Sequence, residues 1–199
     1  MSEPIPPSSS PPTPTSTSAS AASLDAEQIA WLKQYIRDIP DYPQAGILFR
    51  DITPLLQDAR ALQFSIDKLA ERYRGAGIDA VVGIESRGFI FGTPLAYLLG
   101  VGFVPVRKKG KLPADTISIQ YDQESGTNVL EIHTDGLRSG QRVLIVDDLL
   151  ATGGTTEGTV RLVESLGARV VALAFLIELS ALQGRLRLPG HDVFALLSY

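Results

Sequence analysis

The sequence predicts an α/β domain, a parallel sheet flanked by helices, with a β-hairpin projecting from it. Three observations carry that expectation. Apolar runs of strand length alternate along the chain with stretches of helical period. One such run, Val143 to Val146, ends in two carboxylates and a small-residue loop that opens a helix, as ligand sites do at the carboxyl ends of parallel strands. The length, 199 residues with 44% hydrophobic and no Cys, suits one globular domain that buries its core without disulfides or a structural metal.

Residues 1–23 stand apart from that pattern. Pro, Ser and Thr make up 17 of the 23, and Glu3 is the only charge. So little apolar surface cannot offset the entropy of ordering a backbone, and the segment is predicted to be a disordered tail ahead of a domain at 24–199. It has neither the apolar stretch of a secretory signal nor the arginines of a mitochondrial presequence. A Ser-rich, acid-poor start keeps a plastid address open beside the cytoplasmic location expected here. No window of about 18 apolar residues exists to span a membrane.

From Ser23 the elements follow in order. Ser23 can cap a helix running to Arg37, with Asp25 and Glu27 in its first turn and Ile29, Leu32 and Ile36 on one face. Asp58 opens a second helix, whose stripe is Leu62, Ile66, Leu69 and Tyr73 and whose end is Gly75 or Gly77. A buried strand, Ala80 to Ile84, comes next. Helix Gly88 to Leu99, strand Val101 to Val106, strand Arg142 to Val146, helix Thr155 to Leu166 and strand Arg169 to Leu179 continue the alternation, and Val193 to Leu197 can add a last strand. Between them, Lys108 to Glu131 is rich in charge and Gly. Its two short alternating stretches, Thr116 to Gln120 and Asn128 to Ile132, predict the hairpin, an excursion long enough to be a lid, a binding arm or a dimerisation arm.

The chemistry concentrates in VLIVDDLLATGGT, Val143 to Thr155. Its loop, Ala151-Thr152-Gly153-Gly154-Thr155, runs into a helix N-terminus. It can therefore offer backbone N–H groups, hydroxyls and the positive end of the helix dipole to one phosphate monoester. It is no P-loop, since Gly-Lys-[Ser/Thr] is missing, and no dinucleotide fingerprint, since Gly-x-Gly-x-x-Gly is missing. Asp147 and Asp148 would repel an anion unless they serve hydroxyls or a divalent cation that the ligand brings. A ribose 5-phosphate meets both demands. The net charge of −4 argues further that anions are held locally and that nucleic acid is not the partner.

VLIVDDLLATGGT resembles the phosphoribosyl-pyrophosphate motif of the type I phosphoribosyltransferases. The chain from about Ile39 to Leu197 resembles the adenine-specific branch of that family. The matching blocks are DYPQAGILFRDITPLL (Asp41 to Leu56), GIESRGFIFG (Gly83 to Gly92), VRKKGKLP (Val106 to Pro113) and the hairpin Glu124 to Glu131. The resemblance implies the type I phosphoribosyltransferase fold with a hairpin lid. It implies a reaction in which adenine and phosphoribosyl pyrophosphate give AMP and pyrophosphate, with magnesium carried by the donor and no metal site of the protein's own. It further implies a homodimer, because the family's basic turn reaches toward a neighbouring subunit. Pyrophosphate leaves with high charge, and Arg87, Arg107, Lys108 and Lys111 are the cations expected around it, with Ser86 beside Arg87. The family places a non-proline cis peptide at Glu85-Ser86. Leu48, Phe49 and Arg50 match the adenine-binding segment, with Phe49 stacking on the purine and Leu179 closing its other face. Apart from the resemblance, Phe49 and Leu179 read as core residues. Glu124 matches the family's catalytic glutamate, a general base for the proton of the attacking ring nitrogen. The next position, usually Tyr in the family, is Ser125 here.

Two other functions stay in view. One is a related enzyme for hypoxanthine, guanine or xanthine; hypoxanthine-guanine enzymes carry an acid at the position of Ala151, where this chain has a methyl group. A regulator that senses phosphoribosyl pyrophosphate would add a basic DNA-binding domain, and residues 1–23 contain no Lys or Arg.

Overall fold

A computed structural model describes the backbone of residues 24–123 and 126–199, and the side chains of that span outside 122–127. The predicted tail, Ser23 and Glu124 lie outside the described residues. The chain divides into two units, one up to Lys68 and one from Leu69 to Tyr199.

In the first unit, α1 (Ala26–Lys33) starts two residues later than expected because Asp25, not Ser23, caps it. The Asp25 carboxylate accepts from the Gln28 amide at 2.8 Å while the Gln28 side chain accepts from the Asp25 amide at 3.2 Å, a capping box. The helix also ends earlier than Arg37, because that residue opens β1 (Arg37–Pro40), which pairs antiparallel with β2 (Leu48–Asp51). Arg37 and Asp51 face each other in the register and are bridged at 2.6 Å. A short helix, α2 (Thr53–Gln57), precedes α3 (Ala59–Tyr73). Asp58 caps α3 as the sequence predicts, its Oδ1 accepting from the amides of Arg60 and Ala61.

The second unit is built on β3 (Ala80–Ile84), α4 (Gly88–Leu99), β4 (Gly102–Lys108), β5 (Thr116–Gln123), β6 (Gly126–His133), β7 (Arg142–Leu150), α5 (Gly154–Ser165), β8 (Arg169–Glu178) and β9 (Asp192–Ser198). These strands form one sheet in the order β5-β6-β4-β3-β7-β8-β9, parallel from β4 to β9, with β5 and β6 antiparallel at one edge. Strand periodicity sorts the buried side chains onto two faces. Ala80, Val82 and Ile84 join Val143, Ile145, Val160 and Val163 in the core beneath α5. Val81 and Gly83 face α4, where Phe103 occupies the space that side chains at Gly83 and Gly92 would need; a Cβ on Gly83 would stand 2.5 Å from its ring.

Three strands, β7 and the two of the hairpin, run longer than the sequence suggests by three residues or more. β7 continues through the acid pair to Leu150, since Asp147 and Leu149 stay paired with Phe175 and Ile177 of β8. The hairpin pairs from Thr116↔His133 to Gln123↔Gly126, and its inner face is apolar. Tyr121 is buried there, Ile117 and Ile119 join the core, and α5 approaches closely enough that a Cβ on Gly158 would lie 3.4 Å from Tyr121.

Candidate active site

From β3 the chain crosses through α4 to β4 on one side, and after the hairpin it re-enters the sheet as β7 on the other side of β3. Strand order therefore reverses between β3 and β7, the place where open α/β sheets bind ligands. A cleft of about 380 Å³ lies there. It gathers Ser86, Arg87, Lys108, Asp147, Asp148 and the loop Ala151, Thr152, Gly153, Gly154 and Thr155. Glu85, Tyr121, Leu149 and Thr156 line it too, four residues that the sequence motifs do not mark as ligand contacts. Tyr121 could have been found from the hairpin's alternation, which puts it on the inward face one step beyond the predicted strand end.

On the β7 side, Asp147 and Asp148 follow four buried apolar residues. The Asp148 amide donates to Asp147 Oδ1 at 2.9 Å, and Arg87 Nε lies 2.6 Å from Asp148 Oδ2. Burial pushes both carboxyls above the usual range. The neighbouring Asp148 charge pushes Asp147 further up, whereas the Arg87 guanidinium pulls Asp148 back. Beyond the acids, Gly153 precedes α5 at φ +87° and caps it with no side chain. The first amides of a helix have no carbonyl one turn back, so this end of α5 offers donors and a positive dipole to an anion.

On the β3 side the peptide between Glu85 and Ser86 is cis, as the family resemblance implies. Gly88 lets the start of α4 approach β7, since a Cβ there would stand 2.6 Å from the Val146 carbonyl oxygen and 3.1 Å from Asp147 Oδ1. Glu85 turns toward the basic segment. Its Oε2 accepts from Arg107 Nε at 3.2 Å and from the Lys108 amide at 2.9 Å. Arg107 also donates to the Lys111 carbonyl at 3.0 Å, and the buried Glu131 accepts from the Gly110 amide. Of the three cations expected here beside Arg87, only Lys108 lines the cleft; Arg107 braces the turn and Lys111 is exposed.

The remaining expected residues are placed as follows. Leu48, Phe49 and Arg50 lie on β2 in the first unit. Leu48 is exposed, Phe49 is half-buried with the Tyr42 ring edge-on at 5.2 Å, and Arg50 pairs with Asp38. Leu179 follows β8, half-buried, its amide donating to the Leu150 carbonyl at 2.9 Å. Neither Phe49 nor Leu179 is the fully buried core residue its apolar side chain alone would suggest. Among the described residues no group of His, Asp and Glu is arranged to hold a metal by itself, and no helix is long and apolar enough to cross a membrane.

The phosphoribosyl transferase domain family matches residues 55–195. An adenine phosphoribosyltransferase of Carboxydothermus hydrogenoformans is 60% identical over 168 residues, covering 84% of this chain and 99% of its own. The crystal structure of adenine phosphoribosyltransferase from Thermoanaerobacter pseudethanolicus superposes with a TM-score of 0.84 at 54% identity, over 86% of this chain and 99% of its own. The Saccharomyces cerevisiae enzyme, crystallised with an imino-altritol bisphosphate and adenine, has a TM-score of 0.81 at 41% identity, over 85% of this chain and 98% of its own. With a matched domain over most of its length and relatives of this similarity, the chain belongs to the phosphoribosyltransferase family, in its adenine phosphoribosyltransferase branch.

Proposed function

We propose that this protein transfers the 5-phosphoribosyl group from phosphoribosyl pyrophosphate to adenine, giving AMP and pyrophosphate. The observation that carries the reading is the pairing, in one cleft, of an amide-lined helix start with two adjacent carboxylates. The loop from Ala151 to Thr155 takes the 5-phosphate, and Asp147 and Asp148 accept from the ribose 2- and 3-hydroxyls. Arg87, tied to Asp148, and Lys108 bring positive charge to the side where pyrophosphate departs. As the bond from C1 of the ribose to pyrophosphate lengthens, positive charge grows on the sugar. A ring nitrogen of adenine attacks that carbon and gives up its proton.

Phe49 is the residue proposed to stack on the base, with Leu48, Arg50 and Leu179 beside it, and Glu124 is the proposed acceptor of the proton. The cleft's donor set suits magnesium carried by the donor, since that ion keeps waters and substrate phosphates and needs few protein carboxylates. Carried in with the donor, such an ion would neutralise charge on the leaving pyrophosphate, and Asp147 and Asp148 are the carboxylates nearest to hand in the cleft that would attract it.

The same reading includes a homodimer in the cytoplasm, where a donor too highly charged to cross membranes is at hand. On α4, Ile90, Tyr97 and Leu98 are exposed, with Tyr97 at 84%, a stripe that a second copy would cover. Incubation with magnesium, phosphoribosyl pyrophosphate and each purine in turn tests the reaction. AMP from adenine is the expected product, and IMP or GMP formed with equal kcat/KM would replace adenine by a 6-oxopurine.

A further inference from the structure

We propose that Glu178 and Arg185 are positioning residues for the phosphate-binding loop, acting through Gly184. The inference rests on the assignment of that loop to the 5-phosphate, and it concerns residues that do not line the cleft.

The loop's rear support is backbone. A Cβ on Gly153 would stand 2.5 Å from the Gly184 carbonyl oxygen, and a Cβ on Gly184 would stand 2.3 Å from the Ala151 carbonyl oxygen and 3.0 Å from Leu150 Cδ1. No side chain fits between the two segments, so a shift of Gly184 moves the loop directly. Gly184 opens a turn of 3-10 helix, Gly184–Arg187, entered through Gln183 at φ +51°, a conformation non-glycine residues seldom adopt. Such a turn keeps its place only if its surroundings hold it.

Arg185 supplies that hold. Its Nε and Nη2 each lie 2.7 Å from an oxygen of Glu178, and its Nη1 donates to the Val193 carbonyl at 2.6 Å. Glu178 is the buried last residue of β8, whose carboxylate needs a partner, and the bidentate fork fixes direction as well as distance. Leu188 is buried just behind the turn, and Arg187 reaches Glu157 in the first turn of α5 at 3.5 Å. Rigid contacts thus run from β8 through Arg185 and Gly184 to Ala151 and Gly153. A phosphate site made of backbone amides has no flexible side chain to compensate for a displaced loop.

The test compares wild type with Arg185→Ala, Arg185→Lys and Gly184→Ala in steady-state kinetics, with thermal melts to follow the folded fraction. Arg185→Ala is expected to raise KM for phosphoribosyl pyrophosphate by about tenfold or more, with KM for adenine within about twofold. Lys cannot form the fork and should restore part of the loss. Gly184→Ala, which leaves the ion pair intact, should shift the same KM. A smaller folded fraction lowers apparent kcat and leaves KM alone, so variants that change only kcat or the melting point overturn the proposal. Ribose 5-phosphate titrated by calorimetry reads the loop without turnover. If wild type makes no nucleotide from any purine, the function assignment fails, and the loop proposal stands or falls on whether these variants weaken ribose 5-phosphate binding.

Discussion

Asp147 and Asp148 are adjacent in sequence and different in circumstance. Asp148 faces the Arg87 guanidinium, whereas Asp147 meets a second carboxylate and the amide of Asp148. Replacing either by Asn removes a carboxylate proposed to accept from a ribose hydroxyl, and kcat/KM for phosphoribosyl pyrophosphate should fall by about 1.5–3 kcal/mol, roughly ten- to 150-fold. Stability should respond unequally. Burial holds the Asp147 proton in the folded state to a higher pH than in the unfolded chain, so ionisation of Asp147 erodes stability as pH rises from the ordinary carboxylate range through the raised value. Asp147→Asn should therefore melt higher than wild type at neutral pH and gain less near pH 4. Asp148→Asn should gain less at neutral pH, because it also leaves Arg87 without that carboxylate; melts of both variants at the two pH values decide it. Glu124 is outside the described residues, and its role rests on its match to the family motif. Glu124→Gln should keep adenine binding and lower kcat by about 10² to 10⁴, and a change confined to KM would make it a positioning group.

The elements show how closely the two crossovers are fitted together. α4 starts against the end of β7, and Gly88 is the point of contact. Gly88→Ala would push the Ser86-Arg87 turn away from the acid pair. A loss of about 1–3 kcal/mol in stability and a clear drop in kcat/KM for phosphoribosyl pyrophosphate are expected, measured by denaturant unfolding and kinetics. Most elements were legible because their signals are local. α4 occupies Gly88–Leu99 as read from the sequence, and β8, α5 and β9 agree to within one residue at each end. What was not legible is set by pairing. The small β1–β2 sheet depends on partners 8 to 14 residues apart, and its strands show no alternation of apolar residues. The acid pair was expected just past a strand end, yet β8 continues alongside and keeps β7 in register through Leu150. The 3-10 turn at Gly184 has no sequence period to announce it.

At the scale of the molecule, the phosphate half of the candidate site was legible because it is contiguous: one strand, two acids, one loop and one helix start. Its braces were not. Glu85 with Arg107, Glu131 with Gly110 and Glu178 with Arg185 join residues 7 to 22 positions apart, and only the folded sheet brings them together. All of these braces lie within residues 85–185, and among the described residues the buried apolar side chains run from Trp31 to Leu197. The apolar residues of segment 1–23 are only Met1, Ile5 and three alanines, with no apolar periodicity. A chain beginning at residue 24 still carries Asp25, whose carboxylate and amide close the capping box of α1. Deletion of residues 1–23 should accordingly leave the melting temperature and kcat within error of the full chain. A drop of several degrees would show that the segment contributes packing its composition does not announce, and an unchanged melt with altered kcat would assign it a part in the reaction.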